Sequence, residues 1–230
     1  MKQSNYMKKL FWVLLLCIIA VTSKAQVPNF GTTCGNGNVY AYQTLKFRPG
    51  QNAMETYSTL QVGASDYFMG GFDYYTGAGG SRYFGIVARG GYKFNQYFKL
   101  GAQVTPSFDL NDKFNFGYLT SAIYMNGDIT KDGRLFWVTD TWLENDKKEL
   151  TSAKQWTYLG YTIPLGGDHS ITPMAGVIHS WKFDQPADLS MGAYYTYKNV
   201  NLYAWANDIC TKHPRVVVAV EFKFDWFRNK

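Results

Sequence analysis

The sequence contains three histidines, the residue type most often used as a general base. Nucleophilic catalysis needs such a base within hydrogen-bond reach of a hydroxyl or thiol. His179 precedes Ser180 directly, but neighbouring residues of a strand point to opposite faces, so the two cannot act together. His169 and His213 stand in no recognisable catalytic or metal-binding spacing. The residues therefore predict a protein that is not an enzyme and that uses no metal or cofactor.

Ionisable side chains instead recur at alternate positions of apolar segments. Between residues 218 and 226 every even position is Val, Phe or Trp, whereas odd positions include Glu221, Lys223 and Asp225. Residues 98 to 108 repeat this alternation, with Lys99 and Gln103 on the polar face. Because a strand repeats every two residues, each segment must separate an apolar surface from a polar one.

Alternation divides the candidate functional residues into two sets. A charged side chain facing lipid at the bilayer midplane costs about 2–4 kcal/mol, so charges are expected inside a membrane barrel. The predicted inward, pore-lining set is Lys46, Glu55, Asp73, Arg89, Lys99, Gln103, Lys182, Lys198, Glu221, Lys223 and Asp225. The predicted lipid-facing set is Phe98, Leu100, Val104, Val218, Val220, Phe222, Phe224 and Trp226. Both signs of charge are present inside, which suits either a self-neutralised filling or a water-filled path.

The elements that must position these residues are about a dozen strands of roughly ten residues, the length of a tilted membrane strand. Turn residues bound them at approximately 39–47, 53–64, 67–76, 81–93, 97–108, 114–125, 134–143, 154–163, 170–183, 188–198, 200–207 and 214–226. An even count closes an antiparallel up-and-down barrel with no free edge. The segments 114–125 and 200–207 alternate poorly, so ten strands is the alternative to twelve.

The first residues predict export. Lys2, Lys8 and Lys9 precede an apolar run from Leu10 to Val21, followed by small residues near Ala25. This order is typical of a secretory signal peptide, residues 1–25. Residues 26–38 are then a periplasmic lead-in, and residues 39–230 form one barrel domain. Removal of the segment also removes four lysines and no acid, which lowers the net charge from +6 to +2 and gives no indication of nucleic-acid binding.

Cys34 and Cys210 remain after cleavage, in a compartment where thiols are readily oxidised. The strand order places Cys34 at the periplasmic end and Cys210 in the last outer loop. A disulfide requires Cα atoms within about 7 Å. Pairing is therefore left open, because it requires the lead-in to pass through the barrel.

Taken together, the signal peptide, the two-residue alternation and the aromatic strand ends resemble Gram-negative outer-membrane β-barrel proteins. The resemblance covers nearly the whole mature chain and implies outer-membrane lipid as the environment. It also implies insertion by the barrel-assembly machinery, which is thought to read a terminal aromatic residue. In this chain Trp226 and Phe227 are followed by three polar residues, Arg228 to Lys230.

The sequence accordingly predicts an outer-membrane, porin-like all-β barrel that is either a structural scaffold or a narrow channel for small polar solutes. Two other readings remain. One is a secreted or periplasmic soluble β-barrel that binds an apolar ligand inside, with the two faces reversed. The other is a barrel enzyme acting on lipid or peptide, which requires a histidine beside an acid and a hydroxyl.

Overall fold

The structure is a computed structural model that describes residues 32–51, 54–146, 149–181 and 187–225. These residues form thirteen β-strands. The strands are β1 (Asn38–Phe47), β2 (Met54–Gly63), β3 (Phe68–Thr76), β4 (Arg82–Lys93), β5 (Lys99–Asp109), β6 (Asn115–Asp128), β7 (Leu135–Asn145), β8 (Leu150–Tyr161), β9 (Ile163–Gly166), β10 (His169–Ser180), β11 (Asp188–Tyr197), β12 (Val200–Asn207) and β13 (Arg215–Asp225). Among the described residues, no helix is long and apolar enough to cross a membrane.

Apart from β8 and β9, each strand pairs antiparallel with its neighbours in sequence, and the sheet closes where β13 pairs with β1. The short β9 continues β8 beyond Thr162, and both pair with β10. We therefore count β8 and β9 as one interrupted strand of the barrel wall, and we call each of the resulting twelve wall segments a stave. The prediction of a closed, up-and-down transmembrane β-barrel with twelve strands is confirmed, and the ten-strand alternative is wrong. Segments 114–125 and 200–207 alternate poorly, but each forms a strand that pairs with a neighbour on both sides.

The barrel has two distinct ends. Residues 38 and 225 lie at one end with the turns that follow β2, β4, β6, β9 and β11, which we call the terminal end. The loops that follow β1, β3, β5, β7, β10 and β12 lie at the other end, which we call the loop end. Arg48 joins two of these loops through a 2.7 Å ion pair with Asp208 and a hydrogen bond to the His213 carbonyl.

The outer surface is apolar, because one residue in two points away from the lumen along every strand. Large apolar side chains are exposed around it, including Leu60, Phe72, Ile86, Val104, Ile123, Leu159, Val177, Leu202 and Val218. Aromatic pairs flank this band at both ends. Tyr67 stacks on Tyr92 near the terminal end, and Phe108 stacks on Phe114 near the loop end. An apolar band between two aromatic girdles is typical of barrels that cross a bilayer.

Some strands approach so closely that only glycine fits. A Cβ at Gly71 would lie 2.0 Å from the carbonyl oxygen of Leu60, and one at Gly63 would lie 1.9 Å from that of Gly35. The second contact exists because residues 32–37 fold against the mouth of the terminal end. There Cys34 is a buried free thiol, and its backbone N–H donates to the sulfur of Met69 at 3.2 Å.

Candidate functional site

Register places most of the predicted inward set on one face of the sheet. Residues opposite each other in a ladder share a face. Lys46 pairs with Glu55, and Arg89 pairs with Gln103. The same register puts the following residues toward the lumen: Lys46, Glu55, Asp73, Arg89, Lys99, Gln103, Glu221, Lys223 and Asp225. Lys182 lies outside the described residues.

Lys198 lies just beyond the strand in which it was expected. The prediction placed it at the end of an inward-facing strand, but it lies in the turn between β11 and β12 with a φ of 52°. Its Nζ is 5.2 Å from the centre of the Tyr197 ring, which belongs to the outer face. The reason is that β11 ends one residue before the predicted strand end, and the left-handed backbone conformation of Lys198 then turns the chain.

The predicted lipid-facing residues lie on the opposite face. Val104, Leu100 and Val218 are exposed, and Phe98 stacks on Trp137 near the terminal end. Phe222 and Phe224 also point outward but are only 4% and 7% exposed, packed on a cluster with Val39, Ala41, Val200 and Val220. Trp226 lies outside the described residues.

A buried guanidinium organises one wall of the lumen. Arg89 on β4 donates from Nε and Nη2 to Oε1 of Gln103 on β5, at 2.8 Å and 2.5 Å. Its Nη2 also lies 3.1 Å from the hydroxyl of Tyr124 on β6, and its Cζ is 4.8 Å from that ring's centre. We call Arg89, Gln103 and Tyr124 the arginine layer. Charge-assisted hydrogen bonds of this kind fix three adjacent strands and leave the arginine 9% exposed.

Aromatic rings fill the opposite wall. Tyr40, Tyr42, Tyr194 and Tyr203 stand on β1, β11 and β12, and we call them the tyrosine layer. Tyr194 lies 4.7 Å from Tyr203, ring centre to ring centre, and Tyr203 lies 6.5 Å from Tyr42. A buried apolar cluster continues this packing toward β7 and β8, and comprises Phe136, Val138, Tyr158, Met174, Tyr194, Trp205 and Val217.

The sequence interpretation missed these inward rings, because aromatic residues were assigned to the membrane interfaces. The available signal was their parity. Tyr40 and Tyr42 alternate with Val39 and Ala41 in the same phase that places Lys46 inside. The interior is therefore packed with rings around a few charges instead of being lined by charges alone.

A small pocket lies between the arginine layer and the loop end. Its volume is about 40 Å³, and its wall comprises Tyr57, Asp73, Tyr75, Tyr83, Gly85, Gln103, Thr105, Ser107, Tyr118, Thr120 and Trp142. Gly85 creates part of the space, since a Cβ there would lie 2.7 Å from Cγ2 of Thr105 and 3.3 Å from Cβ of Asp73. We call this the mouth pocket.

Two polar atoms of the pocket wall lack hydrogen-bond partners. Asp73 is 6% exposed; the Tyr57 hydroxyl donates to its Oδ2, whereas its Oδ1 has no partner. Nε1 of Trp142 is likewise unpaired. Asp140 Oδ1 and Trp156 Nε1 are also buried without partners, but neither residue lines the pocket. Buried polar atoms in native proteins normally have a protein or water partner, so the two unpaired atoms that face this space are available to a molecule bound there.

The histidines lie apart from one another and from the mouth pocket. His169 contacts Tyr195 and Tyr197 on the outer face, while His179 packs edge-on against Trp181. His179 is exposed and Ser180 is buried, so the two residues face opposite sides as expected. Within the described part of the chain, no group of three or more His, Cys, Asp or Glu residues could hold a metal ion.

Cys34 and Cys210 are both free thiols, the first buried and the second exposed. Cys34 precedes β1 at the terminal end, and Cys210 lies in the loop between β12 and β13 at the loop end. Burial raises the pKa of the Cys34 thiol. The two thiols are thus unpaired in this structure, at opposite ends of the barrel.

Solved structures of similar shape are outer-membrane porins. KdgM porin matches with a TM-score of 0.59 and 13% identity, over 80% of this chain and 99% of that one. The same values hold for KdgM porin in complex with disordered oligogalacturonate. NanC porin matches with a TM-score of 0.54 and 10% identity, over 80% of this chain and all of that one. No protein-family model and no curated protein matches the chain. At these identities the likeness establishes the fold alone, which is a closed transmembrane β-barrel.

Proposed function

We propose that this chain is an exported outer-membrane β-barrel whose lumen is closed to free diffusion, so that it acts as a rigid scaffold carrying the mouth pocket and loops at its loop end. The observation that carries the proposal is the burial of side chains across the lumen. Tyr40, Tyr124 and Tyr194 are each buried although they point inward. The wall of a water-filled pore would instead be wetted along its length.

The width of the barrel supports this reading. Eight-stranded barrels are filled by side chains, and 16- to 18-stranded barrels leave an aqueous channel. A twelve-stave barrel of intermediate width is closed when large rings occupy its interior. In this chain the arginine layer and the tyrosine layer supply those rings from opposite walls.

The apolar character of the outer surface supports a location in a membrane. Phe72, Ile86 and Val104 are exposed large apolar side chains on adjacent strands, which would be unfavourable in water but suit lipid. This supports a membrane barrel over a secreted soluble barrel with an apolar ligand inside. The expected partners are outer-membrane lipid and, during biogenesis, the barrel-assembly machinery. Residues 1–25 are the expected signal peptide, and they lie outside the described residues.

A narrow channel for small polar solutes is the second candidate, and the likeness to KdgM and NanC porins supports it. The two candidates differ in conductance. Folded protein is reconstituted into a planar bilayer, with heat-modifiable gel migration as the measure of folding. A silent wild-type barrel supports the closed scaffold, whereas steady ohmic steps from the wild-type protein would overturn it in favour of the channel.

A variant pair shows whether the rings are what closes the lumen. Tyr42→Ala combined with Tyr124→Ala removes one ring from each wall, and we expect small conductance steps to appear. Phe72→Ala combined with Ile123→Ala removes similar volume from the outer face as a matched control, and we expect it to stay silent. Equal conductance from both pairs would mean that loosening of the sheet, and not the rings, opens the path.

A further inference from the structure

We infer that the mouth pocket binds a small primary ammonium group, with Asp73 as its anionic partner and the surrounding rings as its cage. This site goes beyond the proposed function, because it does not depend on whether the lumen conducts. Its evidence comes from the charge, the hydrogen bonding and the size of the pocket.

The charge of the pocket is negative. Asp73 is the one ionisable carboxylate or base among the residues that line it. The buried guanidinium of Arg89 attracts Asp73 through space but directs its hydrogen bonds to Gln103 and Tyr124. A buried carboxylate without a cation in direct contact is costly, and a cation bound in the pocket would reduce that cost.

The unpaired carboxylate oxygen of Asp73 requires a hydrogen-bond donor. Oδ2 of Asp73 already accepts from the Tyr57 hydroxyl, while Oδ1 has no partner. Thr59, its cross-strand neighbour, donates its hydroxyl to the Phe72 carbonyl at 3.3 Å and also lies close to the Asp73 carboxylate. An N–H of an ammonium group would complete the carboxylate, which a quaternary ammonium could not do.

Aromatic rings surround the same space. Tyr75 and Tyr83 lie 6.3 Å apart between ring centres, Tyr83 and Tyr118 lie 4.9 Å apart edge to face, and Trp142 completes the wall. Ring faces attract cations, by about 0.5–2 kcal/mol per contact. Within this barrel the Lys46 ammonium already lies 5.9 Å from the centre of the Tyr57 ring.

The volume of the mouth pocket limits which ligands can fit in it. A volume of about 40 Å³ holds roughly three water molecules. An ammonium group with a short alkyl stem fits this space, whereas a sugar ring does not. Anionic solutes are disfavoured as well, because their charge would face the Asp73 carboxylate.

The test measures binding of methylammonium chloride to the detergent-folded, full-length mature barrel by calorimetry, against sodium chloride of equal ionic strength. We expect saturable binding to the wild-type protein. We expect Asp73→Asn to weaken it at least tenfold. Asp140→Asn removes another lumenal carboxylate, one whose Oδ1 is buried and unpaired but which lies outside the pocket, and we expect it to change the affinity less than twofold.

A second pair tests the cage and remains informative if Asp73→Asn does not fold. Trp142→Phe replaces an indole of the pocket wall with a smaller ring of lower electron density, and we expect several-fold weaker binding. Trp156→Phe changes an indole with an equally unpaired Nε1 that packs 6.3 Å from Trp142, ring centre to ring centre, but does not line the pocket, and we expect a smaller effect on binding.

Four results would overturn the inference: no saturable binding by the wild-type protein, binding insensitive to both pocket variants, equal loss in the pocket and control variants, or binding of methyl glucoside in preference to methylammonium. Heat-modifiable migration is recorded for every variant. A barrel that folds and stays silent in a bilayer but fails to bind methylammonium would refute this site while leaving the proposed function intact.

Discussion

Arginine at the outward-facing Val104 is predicted to destabilise the barrel strongly. Val104 is the middle residue of β5 and is 47% exposed on the outer surface. A lipid-facing arginine at the bilayer midplane costs about 2–4 kcal/mol, falling to about 0–1 kcal/mol near the interface. If the exposed apolar band contacts hydrocarbon, Val104→Arg therefore incurs nearly the full cost.

Leu100 provides the matched control on the same strand and the same face. It is four residues nearer the terminal end and 36% exposed. Four residues span about 13 Å along a strand, or about 10 Å of depth at a tilt of roughly 40°. Leu100→Arg thus stays near the interface, and its cost should be smaller by about 2–3 kcal/mol, a factor of roughly 30–150 in the folding equilibrium.

The assay is urea titration of the refolded proteins in phospholipid vesicles, followed by tryptophan fluorescence and by heat-modifiable migration. Val104→Ala separates the loss of methyl groups from the added charge. Equal destabilisation by the two arginine variants would refute the assignment of depth. Neutral behaviour of Val104→Arg would refute the assignment of this face to lipid.

Three further outcomes are expected. Phe222→Asp should abolish insertion, because it replaces an apolar ring of the outer face with a carboxylate; normal heat-modifiable migration would contradict that placement. A maleimide should label Cys210 rapidly and Cys34 only after unfolding, since burial shields the Cys34 thiol and raises its pKa. Mass spectrometry of the labelled protein measures the two rates, and equal rates would contradict the packing of residues 32–37. Arg48→Ala should loosen the loop end by breaking the ion pair with Asp208, which contributes about 1 kcal/mol or less to stability. Faster proteolysis of the loops would show this loosening, and an unchanged cleavage rate would mean that the pair contributes nothing measurable.

The sequence by itself determined the architecture. Strand alternation is a local property, because successive side chains point to opposite faces whatever the strand pairs with. The alternation at residues 218–226 and 98–108 therefore predicted both the strands and which side chains share a face. Turn residues supplied most strand ends to within a few positions, except that β8 begins at Leu150, four residues before the expected start. The end of β11 was predicted one residue too late, at Lys198, for the same kind of reason, since a strand end depends on where pairing stops.

Only the tertiary structure decided what fills the lumen. Parity says that Tyr42 and Tyr124 point inward, but it cannot say whether side chains from opposite walls meet, because that depends on the diameter and stagger of the closed sheet. The mouth pocket is likewise non-local. Tyr57, Asp73 and Trp142 come from β2, β3 and β7, and one space forms among them only after all twelve staves have closed.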